Sequence, residues 1–435
     1  MRVLGRHQKP AKRRWRTDRM EKEAPFAFLE KFGSQPGLGR VSALLESWGN
    51  PQDKMKVILI GGTNGKGSTT SFLSSILRSC NHKVGSFYSP HLLRFNERIM
   101  INGKEIPDSE ALGLEGEVKK WLGEGEGRMI TYFEAVAACA YRYFAENSVD
   151  YAVMEVGMGG RLDAVNVARE EVAIVASIGL EHTKWLGSEI DSIAFEKAGI
   201  MKSGLAITGA SLGLEKIRSE ARKRGLNLLV YGEDFEGRAI RKGIGGTAFD
   251  YSGEAEIGGL EIRMLGDFQV RNACLAICAA HSLGCSADAI RAGLLGARIR
   301  GRMEVLLEEP LVVADAAHNP AGVKAMVDSL PVFGEKEIIC VFACMKDKDW
   351  KEMLRALGER VSVFVFCKPA DNERAEEPEE LLEIGKEYAE SYASRSVADA
   401  IEFARGLAGE GRMVLITGSI YMMEEAYAAM RKGES

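Results

Sequence analysis

The stretch Val57-Ile-Leu-Ile-Gly-Gly-Thr-Asn-Gly-Lys-Gly-Ser-Thr-Thr70 decides the fold. Its apolar start reads as a buried strand, which then runs into a glycine-rich turn and a helical pattern over Phe72–Arg78. Backbone N–H groups at such a helix start, together with the helix dipole, form an anion site. Lys66 adds a point charge suited to β- and γ-phosphates. The loop departs twice from G-x-x-x-x-G-K-[ST]. With Gly65 as the second glycine the first falls at Ile60, and Gly67 stands between Lys66 and Ser68. By itself the loop indicates a nucleoside triphosphate and nothing narrower.

Outward from this strand the same alternation recurs. Apolar or β-branched runs at Tyr151–Val156, Val172–Ser177, Leu311–Ala314, Glu337–Phe342, Val361–Phe366 and Met413–Ile416 are separated by amphipathic stretches. Those stretches include Phe133–Glu146, Gln269–Leu283, Ala287–Leu295, Ala321–Ser329 and Val397–Ala408. The pattern implies an α/β fold with parallel strands and crossover helices on both faces. Residues 236–265 break it. They are glycine-rich with short alternating runs at Ala248–Tyr251 and Leu260–Met264, which predicts a small antiparallel sheet at the edge of the first domain. Gly296–Arg302 reads as a hinge into a smaller, Rossmann-like C-terminal domain. The expected division is therefore a basic leader over 1–19, a nucleotide-binding domain over 20–297 and a second α/β domain over 298–435.

At 435 residues, 46% hydrophobic and 27% charged, the chain is long enough for two globular domains and is neither fibrous nor disordered. Residues 1–19 carry eight bases and one acid, a composition that favours a disordered arm, a transit segment, or an extension upstream of Met20. The remainder, with 49 bases and 61 acids, has a net charge of −12, which argues against a general nucleic-acid binder. No apolar stretch approaches the roughly 20 residues of a membrane span. The eight cysteines form no C-x-x-C and read as reduced, mostly buried thiols of a cytoplasmic protein, and nothing in the sequence demands more than a monomer.

Several polar residues stand out at or near strand ends. Glu155 lies in an otherwise apolar strand, where a carboxylate needs an Arg or a metal, and magnesium suits a site beside a phosphate loop. His182 falls just past a strand's C-terminal end, where open α/β sheets place ligands. Lys197 sits among apolar residues on a helix. These two also fit a hydrogen-bonded loop histidine and a snorkelling lysine. Asp315 and His318 lie at a βα turn, where they fit either a helix cap and a satisfied polar group or a ligand site.

Together with the loop at 62–69, seven ordered motifs resemble the folylpolyglutamate synthase and dihydrofolate synthase group of the Mur ligase superfamily. They are Ser89-Pro-His-Leu-Leu-Arg-Phe-Asn-Glu-Arg98, Thr131-Tyr-Phe-Glu134, Gly159-Gly-Arg-Leu-Asp-Ala-Val-Asn166, His182-Thr-Lys-Trp-Leu-Gly187, Glu196-Lys-Ala-Gly-Ile200, Asp315-Ala-Ala-His-Asn-Pro320 and Gly418-Ser-Ile-Tyr421. The resemblance runs from about Pro36 to Tyr421, and the extra glycine of the phosphate loop is a mark of the superfamily.

The resemblance implies an ATP-dependent ligase that joins L-glutamate to a pteroate or folate carboxylate through an acyl phosphate. It implies that Thr63, Asn64, Gly65, Lys66, Gly67, Ser68 and Thr69 hold the triphosphate, with Asn272, Arg302 and Asp315 as further nucleotide contacts. Ser89, Glu155 and His182 would bind magnesium, with Ser68 or Thr69 serving a second ion. Lys66, Lys197 and His318 would be catalytic, Lys197 as a carbamate. Arg40, Thr131, Tyr132, Phe133, Glu134, Leu162, Asp163 and Ala164 would form the wall that receives the pterin-bearing substrate. Domain closure about 296–302 would keep water from the acyl phosphate. The rivals are a Mur-type ligase for another pterin, a deazaflavin or a cell-wall precursor, and a P-loop ATPase switch.

Overall fold

The computed structural model describes residues 24–33, 35–125, 127–370 and 372–431. The basic leader expected over 1–19 lies outside them. The chain divides into two compact units, Phe28–Glu304 with Asp328–Gly334, and Val305–Val327 with Glu335–Ser435, to which residues 24–27 also belong.

The strands of the first unit's main sheet are β1 (Lys56–Gly61), β2 (Val84–Phe87), β3 (Ile99–Ile101), β4 (Lys104–Glu105), β5 (Tyr151–Glu155), β6 (Glu170–Val175), β7 (Leu205–Thr208) and β8 (Leu228–Val230). They lie in the order β4-β3-β2-β5-β1-β6-β7-β8. Six of them run parallel, with β1 central between β5 and β6. The short β3 and β4 pair antiparallel at one edge, so the sheet is mixed where the sequence predicts a parallel one. The apolar run of β1 follows from its place: from Val57 onward every residue is buried.

The flanking helices are α1 (Gly39–Ser47), α2 (Lys66–Ser79), α3 (Asp108–Gly123), α4 (Tyr132–Glu146), α5 (Thr183–Leu186), α6 (Ile190–Ala198), α7 (Leu214–Lys223), α8 (Phe268–Ser282) and α9 (Ala287–Gly296). The helix after the phosphate loop starts at Lys66, six residues before the predicted Phe72. Its first turns, Gly67-Ser-Thr-Thr-Ser71, are buried polar residues that carry no amphipathic period. Further along α2, Phe72, Leu73, Ile76 and Leu77 are sealed from solvent. Emptying one such aromatic site costs about 3–5 kcal/mol.

The antiparallel element predicted over 236–265 is a separate three-stranded sheet of β9 (Glu236–Gly243), β10 (Gly246–Ser252) and β11 (Ile257–Ile262). It is not an extension of the main sheet's edge. Phe249, Tyr251, Leu260 and Ile262 pack into one core with Ala273, Cys274 and Ile277 of α8 and with Ile58 and Ile60 of β1. The small sheet therefore braces the helix whose N-terminal half carries Asn272.

The second unit holds β12 (Glu304–Glu308), β13 (Leu311–Ala314), β14 (Glu337–Phe342), β15 (Val361–Phe366), β16 (Glu390–Ala393) and β17 (Arg412–Thr417) in the order β12-β13-β17-β14-β15-β16. From β13 to β16 every neighbouring pair is parallel. Among the described residues no helix is long and apolar enough to cross a membrane. All eight cysteines are free thiols, seven of them buried. Cys80 and Cys285 bring their sulfurs within 2.7 Å of each other.

Candidate active site

The phosphate loop is held by the segment that follows β6. Thr63 N–H donates to the Ser177 carbonyl at 2.9 Å, and the Thr63 hydroxyl exchanges hydrogen bonds with the Gly179 carbonyl and N–H at 3.1 and 3.0 Å. Ser177 Oγ accepts from Asn64 N–H and donates to the Asn64 carbonyl, both at 2.9 Å. The amides of Thr63 and Asn64 are thus used within the fold. The N–H groups free of intrahelical partners are those of the first turn of α2, the usual place for an anion.

Two glycines make this turn possible. Gly65 caps α2 with φ +88°, and a Cβ there would stand 2.5 Å from Asn272 Oδ1. A Cβ on Gly67 would stand 3.4 Å from Glu155 Oε2 and 3.0 Å from Ile299 Cδ1. Gly67 therefore lets the helix start lie directly against the Glu155 carboxylate. Lys66 folds back over the turn, its Nζ donating to the carbonyls of Gly62 and Thr63 at 2.9 and 3.0 Å. Ser68 and Thr69 are buried, and Thr69 Oγ1 has no hydrogen-bond partner.

Glu155 ends β5 at 6% exposure. Burial pushes its pKa up, against the pull of Lys66, the Ser89 N–H that it accepts at 3.2 Å, Arg302 and Arg98. Among the described residues no Lys or Arg nitrogen lies within 4.0 Å of its oxygens, so the arginine-bridge alternative is absent. Ser89 is therefore beside Glu155. His182 is exposed, adopts a left-handed conformation at φ +49°, and caps the short α5 on the loop that continues from Ser177 and Gly179. Among the described residues no group of three His, Cys, Asp or Glu side chains is gathered for a metal.

Lys197 is not a snorkelling lysine. It is 1% exposed on α6, and its Nζ donates to Glu181 Oε1 at 2.5 Å. Burial lowers its pKa, the Glu181 charge raises it, and the Lys66 charge lowers it again. Glu181, exposed to the same two cations, is held below the usual carboxylate range despite its burial.

The expected substrate wall is a tied network. Arg40 reaches both oxygens of Glu134, Nε to Oε2 at 3.0 Å and Nη2 to Oε1 at 2.8 Å. Glu134 Oε2 also accepts from the N–H and hydroxyl of Thr131 at 2.8 and 2.9 Å, which closes a capping box at the start of α4. Asp163 accepts from the N–H groups of Met158 and Val165 at 2.8 and 3.1 Å. Burial raises it to about 6 against those bonds. Leu162 and Ala164 flank Asp163, and the Leu162 carbonyl accepts from Gly37 N–H at 3.2 Å. Phe133 lies over Gly157, where a Cβ would be 2.5 Å from its ring, and stacks at a tilt on Phe87 with centroids 5.9 Å apart. Polar atoms of Arg40, Thr131, Glu134 and Asp163 thus hold backbone.

Sequence reasoning assigned no role to Arg98, His91, Glu97, Ser177 or Glu181. Arg98 is buried, its Nε donating to His91 Nδ1 at 2.8 Å, and its guanidinium lies 5.4 Å from the centre of the Tyr132 ring. Burial and the Arg98 charge lower His91 to about 4, so the imidazole is neutral. A T-x-x-E capping signature is readable from sequence at Thr131–Glu134. No local signal exposes the Ser177 latch, whose partner is Asn64, far upstream in the chain.

In the second unit, Asp315 follows β13 at 3% exposure, and its Oδ1 accepts from Ala317 N–H at 2.8 Å. His318 Nδ1 lies 3.0 Å from the Ala316 carbonyl, and Gly418 N–H donates to Ala317 O at 3.1 Å. The turn after β13 and the residues after β17 are thereby joined at one sheet end.

Comparison with known proteins agrees with this architecture. The Mur ligase middle domain matches residues 60–280, and the Mur ligase glutamate ligase domain matches 301–420. The chain is 35% identical over 413 residues to the dihydrofolate synthase/folylpolyglutamate synthase of Bacillus subtilis, covering 91% of this chain and 95% of that one. Among solved structures, E. coli FolC in complex with DHPP and ADP superposes with a TM-score of 0.86 at 31% identity, covering 94% of this chain and 97% of that one. Folylpolyglutamate synthase of Mycobacterium tuberculosis complexed with ADP and AMPPCP also gives 0.86, at 29% identity over 93% and 96%. With a phosphate loop carrying the additional glycine and relatives matched nearly end to end, the chain belongs to the dihydrofolate synthase/folylpolyglutamate synthase family of Mur ligases.

Proposed function

We propose that this protein is an ATP-dependent ligase that adds L-glutamate to the carboxylate of a folate or dihydropteroate. The observation that carries the reading is the phosphate turn at 62–69. It is latched to the end of β6, opens its helix N-terminus, and presses on the buried carboxylate of Glu155. Similarity to a dihydrofolate synthase/folylpolyglutamate synthase over nine-tenths of the chain supports the substrate class.

A carboxylate is a poor acyl donor, and its oxygen must first take the γ-phosphoryl group of ATP to give an acyl phosphate. Phosphoryl transfer calls for in-line positioning and charge neutralisation. The first-turn N–H groups of α2 suit the phosphates, and Lys66 leaves the Gly62 and Thr63 carbonyls to follow the transferred group. Asn272, pressed against Gly65, and Arg302, whose charge reaches Glu155, are the nucleotide contacts nearest the loop. Asp315 and His318 are assigned to the nucleotide and to the phosphate or incoming glutamate. The glutamate amine then attacks the acyl carbon and phosphate leaves.

The donor types fit a hard cation: a carboxylate that burial penalises, the serine at position 89 whose N–H meets it, and an imidazole at His182. Ser89, Glu155 and His182 would hold Mg²⁺, and the unpartnered Thr69 hydroxyl with Ser68 supports a second ion near the first turn of α2. Magnesium there would neutralise the β- and γ-phosphate oxygens and polarise the bond that breaks. Lys197 is assigned as a carbamate. The pull of burial and of Lys66 toward the neutral amine favours CO₂ addition, while the short bond to Glu181 opposes it.

The test is an acceptor panel with ATP, magnesium and glutamate, read by mass spectrometry. Pteroyl or folyl products heavier by one glutamyl residue or more are expected. Ligation only to a cell-wall or deazaflavin acceptor, or ATP turnover without glutamate, would contradict the reading. Native mass spectrometry of protein kept in bicarbonate is expected to show a 44 Da adduct that K197M lacks.

A further inference from the structure

Helix α2 carries the phosphate loop at its N-terminus and is capped at its other end by Cys80, whose N–H closes on the carbonyls of Ile76 and Leu77 at 3.1 Å. Cys285 lies in the turn between α8 and α9, its N–H donating to the Ala280 carbonyl at 3.0 Å. The two thiols stand 205 positions apart in sequence and 2.7 Å apart in space. Only a small side-chain rotation separates them from disulfide geometry.

The backbones that carry the pair are locked together. Where α2 passes Ile76, one turn before Cys80, a Cβ on Gly293 would stand 2.3 Å from Ile76 Cα, so α9 lies on α2 backbone to backbone. Ile76, Leu77, Cys285, Ile290 and Leu294 share one core, and Cys80 packs against it. At the other end of α2, Asn272 of α8 is pressed against Gly65. A bond at Cys80 would tie the far end of the phosphate-loop helix to the same pair of helices that its N-terminus already touches.

The two thiols differ in access. Cys80 is partly exposed, and its neighbours Ser79 and Asn81 line a cavity of about 560 Å³ with Arg78, His82 and Lys83. Basic side chains around such a cavity suit an oxidant that bears carboxylates. Cys285 is 6% exposed, and burial together with the Cys80 thiol pushes its own thiol above the usual range. The thiolate is the attacking species in disulfide exchange, so the order is Cys80 first and Cys285 second.

We propose that Cys80 and Cys285 form a redox-modification site, at which a low-molecular-weight disulfide bearing carboxylates oxidises them to a disulfide that locks α2 to the α8–α9 turn. Cys80, having lost its proton to water, attacks one sulfur of the oxidant and expels one thiolate, leaving a mixed disulfide. Cys285 then gives up its proton and attacks the Cys80 sulfur, expelling the second thiolate as the protein S–S bond closes. Two protein thiols lose two electrons and two protons, and one small disulfide becomes two thiols. No acyl substrate takes part.

The test exposes full-length protein, reduced and then freed of reductant, to glutathione disulfide. The protein is unfolded in an alkylating reagent and read by intact mass and a non-reducing peptide map. All eight thiols should label in the reduced protein and six after oxidation, with the peptides of Cys80 and Cys285 linked and dithiothreitol restoring eight. C285S should trap the mixed disulfide at Cys80, about 305 Da heavier, whereas C80S should label at every remaining thiol. Oxidised wild type should melt at least about 3 °C above the reduced form, because the bond closes a long loop. In C80S the oxidant should leave Tm unmoved. Eight labelled thiols after oxidation, a link joining other cysteines, an adduct on C80S and none on C285S, or an oxidised Tm no higher than the reduced one would overturn the proposal.

Discussion

Removing one oxygen atom at Ser177 tests whether the phosphate loop is preorganised by its latch. Ser177 Oγ makes two hydrogen bonds to the backbone of Asn64, both at 2.9 Å, and Asn64 is half-buried. At a net contribution of about 1 kcal/mol each, S177A forfeits about 2 kcal/mol. If the loop stays folded in the variant, the loss appears as stability, a fall in Tm of about 4–8 °C for a unit of this size. If the loop instead loosens, the loss appears in nucleotide affinity, and about 2 kcal/mol corresponds to roughly a thirtyfold rise in Kd. Bound nucleotide would restore order in that second case. The assay is calorimetric titration of AMPPNP with magnesium, paired with thermal melting with and without the nucleotide. The shortfall in Tm and the shortfall in binding should together account for about 2 kcal/mol. A variant indistinguishable from wild type in both would refute the idea that this hydroxyl holds the loop.

Three further outcomes are expected. G65A should lose at least about 1–2 kcal/mol in urea denaturation, because φ +88° is left-handed and its Cβ would strike Asn272; a variant as stable as wild type would mean the turn can rebuild. E155Q should match or exceed wild-type stability, since a neutral amide is relieved of the burial cost that raises the Glu155 pKa, yet should lose about a hundredfold or more in turnover by steady-state assay. Asp163 carries a pH signature. Its carboxyl is raised to about 6 in the fold from an unfolded value of 3.8, so the folded state holds the extra proton. Its contribution is most favourable below pH 4 and is lost as pH rises to 6, by about 3 kcal/mol in all. Urea titrations across that window should show D163N gaining on wild type as pH rises, and a constant difference between them would contradict the assignment.

What could be read from sequence follows the range of the interactions. The strand Lys56–Gly61 and the turn after it are local, since apolar side chains and a positive φ write themselves directly into Val, Ile and Gly. The start of α2 was legible only as a phosphate loop. Gly67-Ser-Thr-Thr-Ser71 are buried for their contacts with the loop, the sheet and residue 298, and a buried polar run has no amphipathic period. β3 and β4, three and two residues long, offer too little pattern to be seen. Lys197 was ambiguous for a different reason, since its partner Glu181 lies in a loop before the preceding helix and only the fold brings them to 2.5 Å. The residues named for the substrate wall came from resemblance, and their local pattern announced something else as well. Thr131 and Glu134 form a capping box, and Arg40 closes on it from α1.

The central claim is that the acyl carboxylate attacks the γ-phosphate bound at 62–69 before glutamate enters. It is tested most directly by supplying a pteroyl acceptor with ¹⁸O in the reacting carboxylate and weighing the released phosphate by mass spectrometry. Phosphate carrying one ¹⁸O for each amide formed is the expected result, with neither labelled phosphate nor amide in K66A. Amide formed alongside unlabelled phosphate would show that the carboxylate oxygen never joins phosphorus, and would contradict the mechanism at its root.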